Sequence, residues 1–140
     1  MADLKIRTRD TGATARMEKG AMPVLSTPTG GQLDLVTGVS APGFNPLDLL
    51  YASLAACLAL SIRSAATKLG VTDRLGEVSA EVRGEKAAEG PSRVARIEAV
   101  LHIGGDLDDA MRDQLIHMAE GICTVSNTLA GGPEIAVRRG

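Results

Sequence analysis

Hydrophobic and polar positions along the chain repeat with two different periods. Residues 3–9, DLKIRTR, set Leu4 and Ile6 against Lys5 and Arg7, the alternation of a half-buried strand. Residues 13–19, ATARMEK, offer it a weaker partner, and GGQLDLVTG places Leu33 and Leu35 on one face of a third strand. The Pro- and Gly-containing SAPGFNP at 40–46 then reads as a loop. A helix is expected from Asn45 onward: Asn is a favoured N-cap, Pro46 falls where a first helical residue tolerates proline, and Asp48 lies in the positive first turn. It runs to Leu69, with Gly70 as its stop, and is apolar around most of its middle circumference. Such a helix must be wrapped by other elements or by a second copy of the chain.

Period two returns at 76–86, where Val78, Ala80 and Val82 oppose Ser79, Glu81 and Arg83. It returns again at 93–103, where Ala95, Ile97, Ala99, Leu101 and Ile103 oppose Arg96, Glu98 and His102. With AAEGPS between them, the two segments predict a long antiparallel hairpin. Residues 106–121 predict an amphipathic helix with Asp106 as its cap and Met111, Leu115, Met118 and Ala119 along one face. Gly121 interrupts it before Cys123, and CTVSNTLAGG leads to a last short strand, EIAVR. The predicted order, βββ-α-ββ-α-β, belongs to the α+β class. No repeat or linker divides it, so one domain over residues 1–140 is expected.

Composition narrows the function classes. One Phe, one Tyr and no Trp leave almost nothing to stack on nucleic-acid bases, and a net charge of −2 without a Lys/Arg block offers no phosphate-binding surface. A nucleic-acid or membrane partner is therefore not expected. The N-terminal MADLKIRTRD is not a signal peptide, and the apolar run Leu49–Ile62 is too short and Ala-rich for a bilayer span, which reads as a cytoplasmic protein. Two histidines without CxxC or HxxxH spacing argue against a zinc site, and neither a metal nor a bound cofactor is expected.

Candidate chemistry rests on two cysteines 66 residues apart. On residue type alone, Cys57 in its apolar helix reads as small core filler. To react it needs a thiolate, which burial opposes. The helix start is about three turns away, and Arg63 points elsewhere at about 100° per residue. A working Cys57 thus requires a cation from another element. Its own helix face carries Leu50, Leu54, Ser61 and Ser64, and both aromatics, Phe44 and Tyr51, precede it closely. Phe44, Leu50, Tyr51 and Leu54 are the candidate walls of an apolar substrate pocket. Cys123 follows a helix end in a polar segment, so deep burial is not required of it. A thiol meant to meet Cys57 in a transient disulfide accounts for it best. His117 reads as a surface residue, and Ser126 and Thr128 as cap or turn residues.

NPLDLLYASLAACLALSI followed by CTVSNTL resembles the OsmC/Ohr family, the osmotically inducible and organic-hydroperoxide-resistance proteins, on its OsmC-like side rather than in Ohr proper. The resemblance implies an intertwined homodimer with long central helices packed against antiparallel sheets, and sites built from both subunits. It implies that Cys57 is the peroxidatic thiolate, reducing organic hydroperoxides or hydrogen peroxide and becoming a sulfenic acid. Cys123 is then the resolving thiol, and an external dithiol, lipoyl-type in the Ohr branch, reduces the resulting disulfide. The family's sheet arginine maps near Arg16. Two positions depart from the family pattern: Leu47 stands where the Ohr branch has a Glu, and Thr124 where a Pro commonly follows the second cysteine. The alternative is a stress or small-ligand-binding protein of the same fold with little turnover. A third reading, cysteine-dependent acyl transfer, needs His102 or His117 beside Cys57.

Overall fold

The computed structural model describes residues 11–38 and 40–140. The chain divides into two compact units, Met1–Leu49 and Leu50–Gly140. The strand expected at 3–9 lies outside the described residues.

The N-terminal unit holds a three-stranded antiparallel sheet of β1 (Thr14–Arg16), β2 (Val24–Ser26) and β3 (Gln32–Asp34), in that order. Ala15 pairs with Leu25, and Leu25 with Leu33. The turn between β2 and β3 closes on Thr27, whose Oγ1 accepts the Gly31 N–H at 2.9 Å. Beyond β3, Leu35 is buried and bridges to Phe44. β2 was not expected from the sequence: three residues between Pro23 and a turn are too few to show a period.

Helix α1 (Pro46–Lys68) begins as its first turn predicts. Asn45 Oδ1 accepts the Asp48 N–H at 2.8 Å, and Asp48 Oδ2 accepts the Asn45 N–H at 3.0 Å. This reciprocal pair satisfies two donors that the helix leaves free. At the other end Gly70 adopts φ +70°, a conformation glycine takes without strain. It allows the Gly70 and Val71 N–H groups to reach the Thr67 and Ala66 carbonyls, the Schellman closure. The helix is 23 residues long and contains an 18-residue stretch of mean hydropathy 1.6, long and apolar enough to cross a membrane, so run length does not exclude a span as the sequence argument held. Packing assigns part of it instead: Ile62, Ala65 and Ala66 are fully buried in a protein core.

In the C-terminal unit, a 3-10 turn at Thr72–Arg74 leads into β4 (Leu75–Lys86) and β5 (Val94–Gly105), a two-stranded antiparallel hairpin. Its register pairs Val78 with Ile103, Ala80 with Leu101 and Gly84 with Ile97. The opposite face carries Glu81, Arg83, Glu98 and His102, with His102 3.7 Å from Glu81. Helix α2 (Asp109–Ile122) is capped by Asp108, whose Oδ1 accepts the Met111 N–H at 2.8 Å. The cap therefore lies two residues later than Asp106, because Leu107 is drawn into the core and the Asp106 N–H is held by the Arg74 carbonyl. Gly121 does not interrupt the helix. The residues after Cys123 form a further helix, α3 (Thr124–Gly131), and EIAVR is not a strand. Ile135 and Val137 alternate as a strand would but lie 83% and 92% exposed, with no partner edge among the described residues.

Two apolar clusters hold this unit together. Ile62, Ala65 and Ala66 of α1 meet Ile103, Leu107, Leu115 and Ala119 at the base of the hairpin and along α2. Nearer the start of α1, Leu54 and Leu58 meet Cys123, with Cys57, Val82, Ile97, Leu101, Val125 and Leu129 packed around them.

Candidate active site

The second cluster brings the two cysteines together. α1 presents Cys57 on the turn between Leu54 and Ser61, and the α2–α3 junction presents Cys123. Cys123 ends one helix and caps the next: its extended backbone, φ −71° and ψ 107°, breaks the path between them. Its Sγ accepts the Ser126 N–H at 3.4 Å. Both thiols are free; Cys57 is half-buried, and Cys123 is completely buried. Its burial corrects the expectation drawn from its polar neighbours. Leu54 and Leu58 cover it on one side, and α3 folds the polar residues outward.

The two sulfurs ionise in opposite senses. Burial disfavours charge on Cys57. Hydrogen bonds from the Val125 N–H, the Cys123 thiol, the Ser61 hydroxyl and the Thr124 N–H outweigh it, so its pKa falls below the ordinary cysteine value. Burial pushes Cys123 up, and the hydrogen bond it gives to Cys57 holds its proton further, despite the Ser126 and Val125 amides. The pair thus places its first negative charge on Cys57. The sequence argument looked only for a cation from another element, and these groups act on the thiol from α1 and α3. Ser61, one turn along the same helix, is itself a donor. Its single proton also reaches the Cys57 carbonyl, at 2.7 Å, so it serves one acceptor at a time.

A cavity of about 430 Å³ is lined by residues of the same cluster, though neither Cys57 nor Cys123 is among its lining residues. It shares Leu54, Leu58, Ile97, Leu101 and Leu129 with the cysteine cluster, and Arg96, Glu120 and Ser126 add polar groups. Of the candidate pocket residues, Leu54 lines it. Leu50 and Tyr51 do not: the Tyr51 ring lies across Gly84 of β4 instead. Phe44 belongs to the N-terminal unit, where it bridges to Leu35. Arg16 also lies in that unit, on β1, with its guanidinium 3.7 Å from Glu18. His102 and His117 are both exposed, and neither is among the groups that hydrogen bond to Cys57. Among the described residues no cluster of three metal-ligating side chains occurs.

Sequence reasoning missed the α3 amides and the cavity. No residue type signals an amide, since every residue but proline carries one, and a cysteine cap is outside the usual Ser/Thr/Asp/Asn set.

Comparison with solved structures finds the same architecture. An organic hydroperoxide resistance protein OsmC from Legionella pneumophila, described as a predicted redox protein and regulator of sulfide bond formation, is 27% identical, with 88% of this chain and 90% of that one covered at a TM-score of 0.70. An OsmC-like protein from Mycoplasma pneumoniae shares the fold at a TM-score of 0.76 and 21% identity, with 89% of each chain covered. The organic hydroperoxide resistance protein OhrB of Bacillus subtilis shares it at 0.65 and 22%, with 89% of this chain and 93% of that one covered. No curated protein sequence matches. The model of the OsmC-like protein family matches residues 38–138, a span that contains α1, the hairpin and both cysteines, and on that match the chain belongs to the OsmC-like family.

Proposed function

We propose that the protein is a cysteine-based reductase of organic hydroperoxides or hydrogen peroxide, with Cys57 attacking and Cys123 resolving. The observation that supports this most is that Cys57 and Cys123 meet as free thiols in one apolar cluster, Cys57 half-buried and Cys123 buried, with the Cys57 pKa lowered and the Cys123 pKa raised. The organic hydroperoxide resistance proteins of Legionella pneumophila and Bacillus subtilis lend family support. In the first step the Cys57 thiolate attacks the terminal peroxide oxygen. An S–O bond forms, the O–O bond breaks, and the alkoxide takes a proton from water and leaves as alcohol. Sulfur is oxidised by two electrons and peroxide reduced by two. The Cys123 sulfur then displaces the hydroxyl of the sulfenic acid, water leaves, and a disulfide forms. An external dithiol restores both thiols by exchange. The apolar cavity fits an organic tail better than hydrogen peroxide.

Arg16 is proposed as a charge partner of the thiolate on family resemblance alone. A homodimer built on α1, whose Leu60 is half exposed, is proposed on the same ground. The proposed setting is cytoplasmic, with no bound cofactor.

One observation favours the alternative of a binding or stress protein with little turnover. The acid of the α1 first turn, Asp48, is committed to Asn45, and Leu47 offers no second carboxylate to hold an arginine. Steady-state consumption of cumene hydroperoxide with dihydrolipoamide distinguishes the two. The peroxidase reading expects many turnovers per chain, abolished in Cys57→Ser. Consumption no faster than with the dithiol alone overturns it.

A further inference from the structure

α3 is lightly anchored in the C-terminal unit. It is eight residues long, too short to persist alone, and none of its residues is fully buried. Val125 and Leu129 pack against the cysteine cluster, but the completely buried side chain at this junction is Cys123, just before the helix. Its sulfur accepts the Ser126 N–H at 3.4 Å and so caps the first turn. Non-helical residues bound α3 on both sides: Cys123 is extended, and Gly132 turns at φ +59°. A side-chain bond crosses to α2, from Asn127 Nδ2 to the Gly121 carbonyl at 3.1 Å. Cys57, by contrast, is carried on the 23-residue α1, whose Leu54, Leu58, Ser61 and Ile62 are buried around it.

We propose that α3 is a redox-sensitive flap, held in place by the reduced Cys123 sulfur and released when that sulfur is joined to Cys57. The proposal rests on the peroxidase reading above for the natural oxidant, and on the packing of α3 for the response. A disulfide is about 2.0 Å long with a restricted dihedral, so two free sulfurs packed in one cluster must close together to form it. α1 is the firmly packed partner, so the adjustment falls on Cys123, whose sulfur turns from the Ser126 N–H toward Cys57. The cap is lost with that turn. Ser126, Leu129 and Ala130 of α3 also wall the cavity of about 430 Å³, together with Ala95, Ile97 and Ala99 of β5. Loosening α3 therefore opens this wall and uncovers a sulfur that the reduced chain hides completely. The dithiol gains access to the Cys123 sulfur after the peroxide step and not before it, and reduction restores the cap.

Diamide makes the disulfide without peroxide. The two thiols give up two hydrogens and two electrons, the S–S bond forms, and diamide is reduced to the hydrazine. Hydrogen exchange read by mass spectrometry then compares the reduced and oxidised full chain. Amides of residues 124–132 should exchange roughly fivefold faster after oxidation, the factor for loss of one N-cap, while those of α2 and β5 keep their rates. Cys57→Ser treated with diamide is the reference, because it keeps the Cys123 cap and cannot form the bond. Its α3 should exchange like that of the reduced wild type. Unchanged α3 exchange with the disulfide present by mass overturns the proposal, as does acceleration shared equally by α2 and β5. Thiols that diamide leaves free overturn it too. If diamide loosens α3 but cumene hydroperoxide forms no disulfide, the peroxidase reading fails and the flap stands.

Discussion

Replacing Cys123 separates its two duties, since it caps α3 and faces Cys57. In Cys123→Ala the Ser126 N–H loses its 3.4 Å acceptor, and loss of an N-cap costs about 1 kcal/mol. The same change removes a completely buried sulfur from the cluster around Leu54 and Leu58, worth roughly another 1 kcal/mol. Cys123→Ser also loses the sulfur's packing, but serine is among the best N-caps and keeps a donor toward Cys57. The alanine variant should therefore unfold about 1 kcal/mol more easily than the serine variant. For a chain of this length that is a melting difference of about 3–5 °C, read by circular dichroism at one fixed protein concentration. Both variants lack a resolving thiol, so resolution chemistry cannot produce the difference. Equal melting temperatures would refute the cap.

Further consequences follow from Cys57, Arg112 and Gly84. In Cys123→Ser, Cys57 should ionise below the ordinary cysteine value. Thiolate-dependent alkylation then rises as pH climbs through that lowered midpoint, and the thiolate's contribution to stability is lost as pH falls through it. A midpoint at or above that of free cysteine contradicts the donor account. Arg112→Met keeps the aliphatic stem but strands the Ile103, Gly105 and Leu107 carbonyls, which the guanidinium now joins. Urea unfolding should show a loss of about 3 kcal/mol, and a loss under about 0.5 kcal/mol would remove Arg112 as the tie between hairpin and α2. A Cβ at Gly84 would overlap the ring of Tyr51. As the chain has one Tyr and no Trp, Gly84→Ala should change tyrosine fluorescence while far-ultraviolet circular dichroism is kept. Unchanged fluorescence contradicts that packing.

What the sequence made legible was local. Asn45, Asp48 and Gly70 carry the α1 boundaries in their own side chains and backbone freedom, and the hairpin shows its period over two long segments. α3 escaped because Thr124, Val125, Ser126, Asn127 and Thr128 are indifferent helix formers. Its start is fixed by the Cys123 cap, and Leu129 packs into the cysteine cluster. EIAVR shows the reverse failure, an alternating pattern that needs a neighbouring strand to become one. The site divides in the same way. Its cysteines were visible as residues, whereas the donors on Cys57 come mostly from main chain delivered by tertiary packing.

The central claim is that Cys57 and Cys123 form one redox pair. Peptide mass spectrometry after stoichiometric cumene hydroperoxide tests it directly. The account expects a Cys57–Cys123 disulfide in the wild type and a trappable sulfenic acid at Cys57 in Cys123→Ser. Two free thiols in the wild type, or oxidation that falls on Cys123 alone, would contradict it.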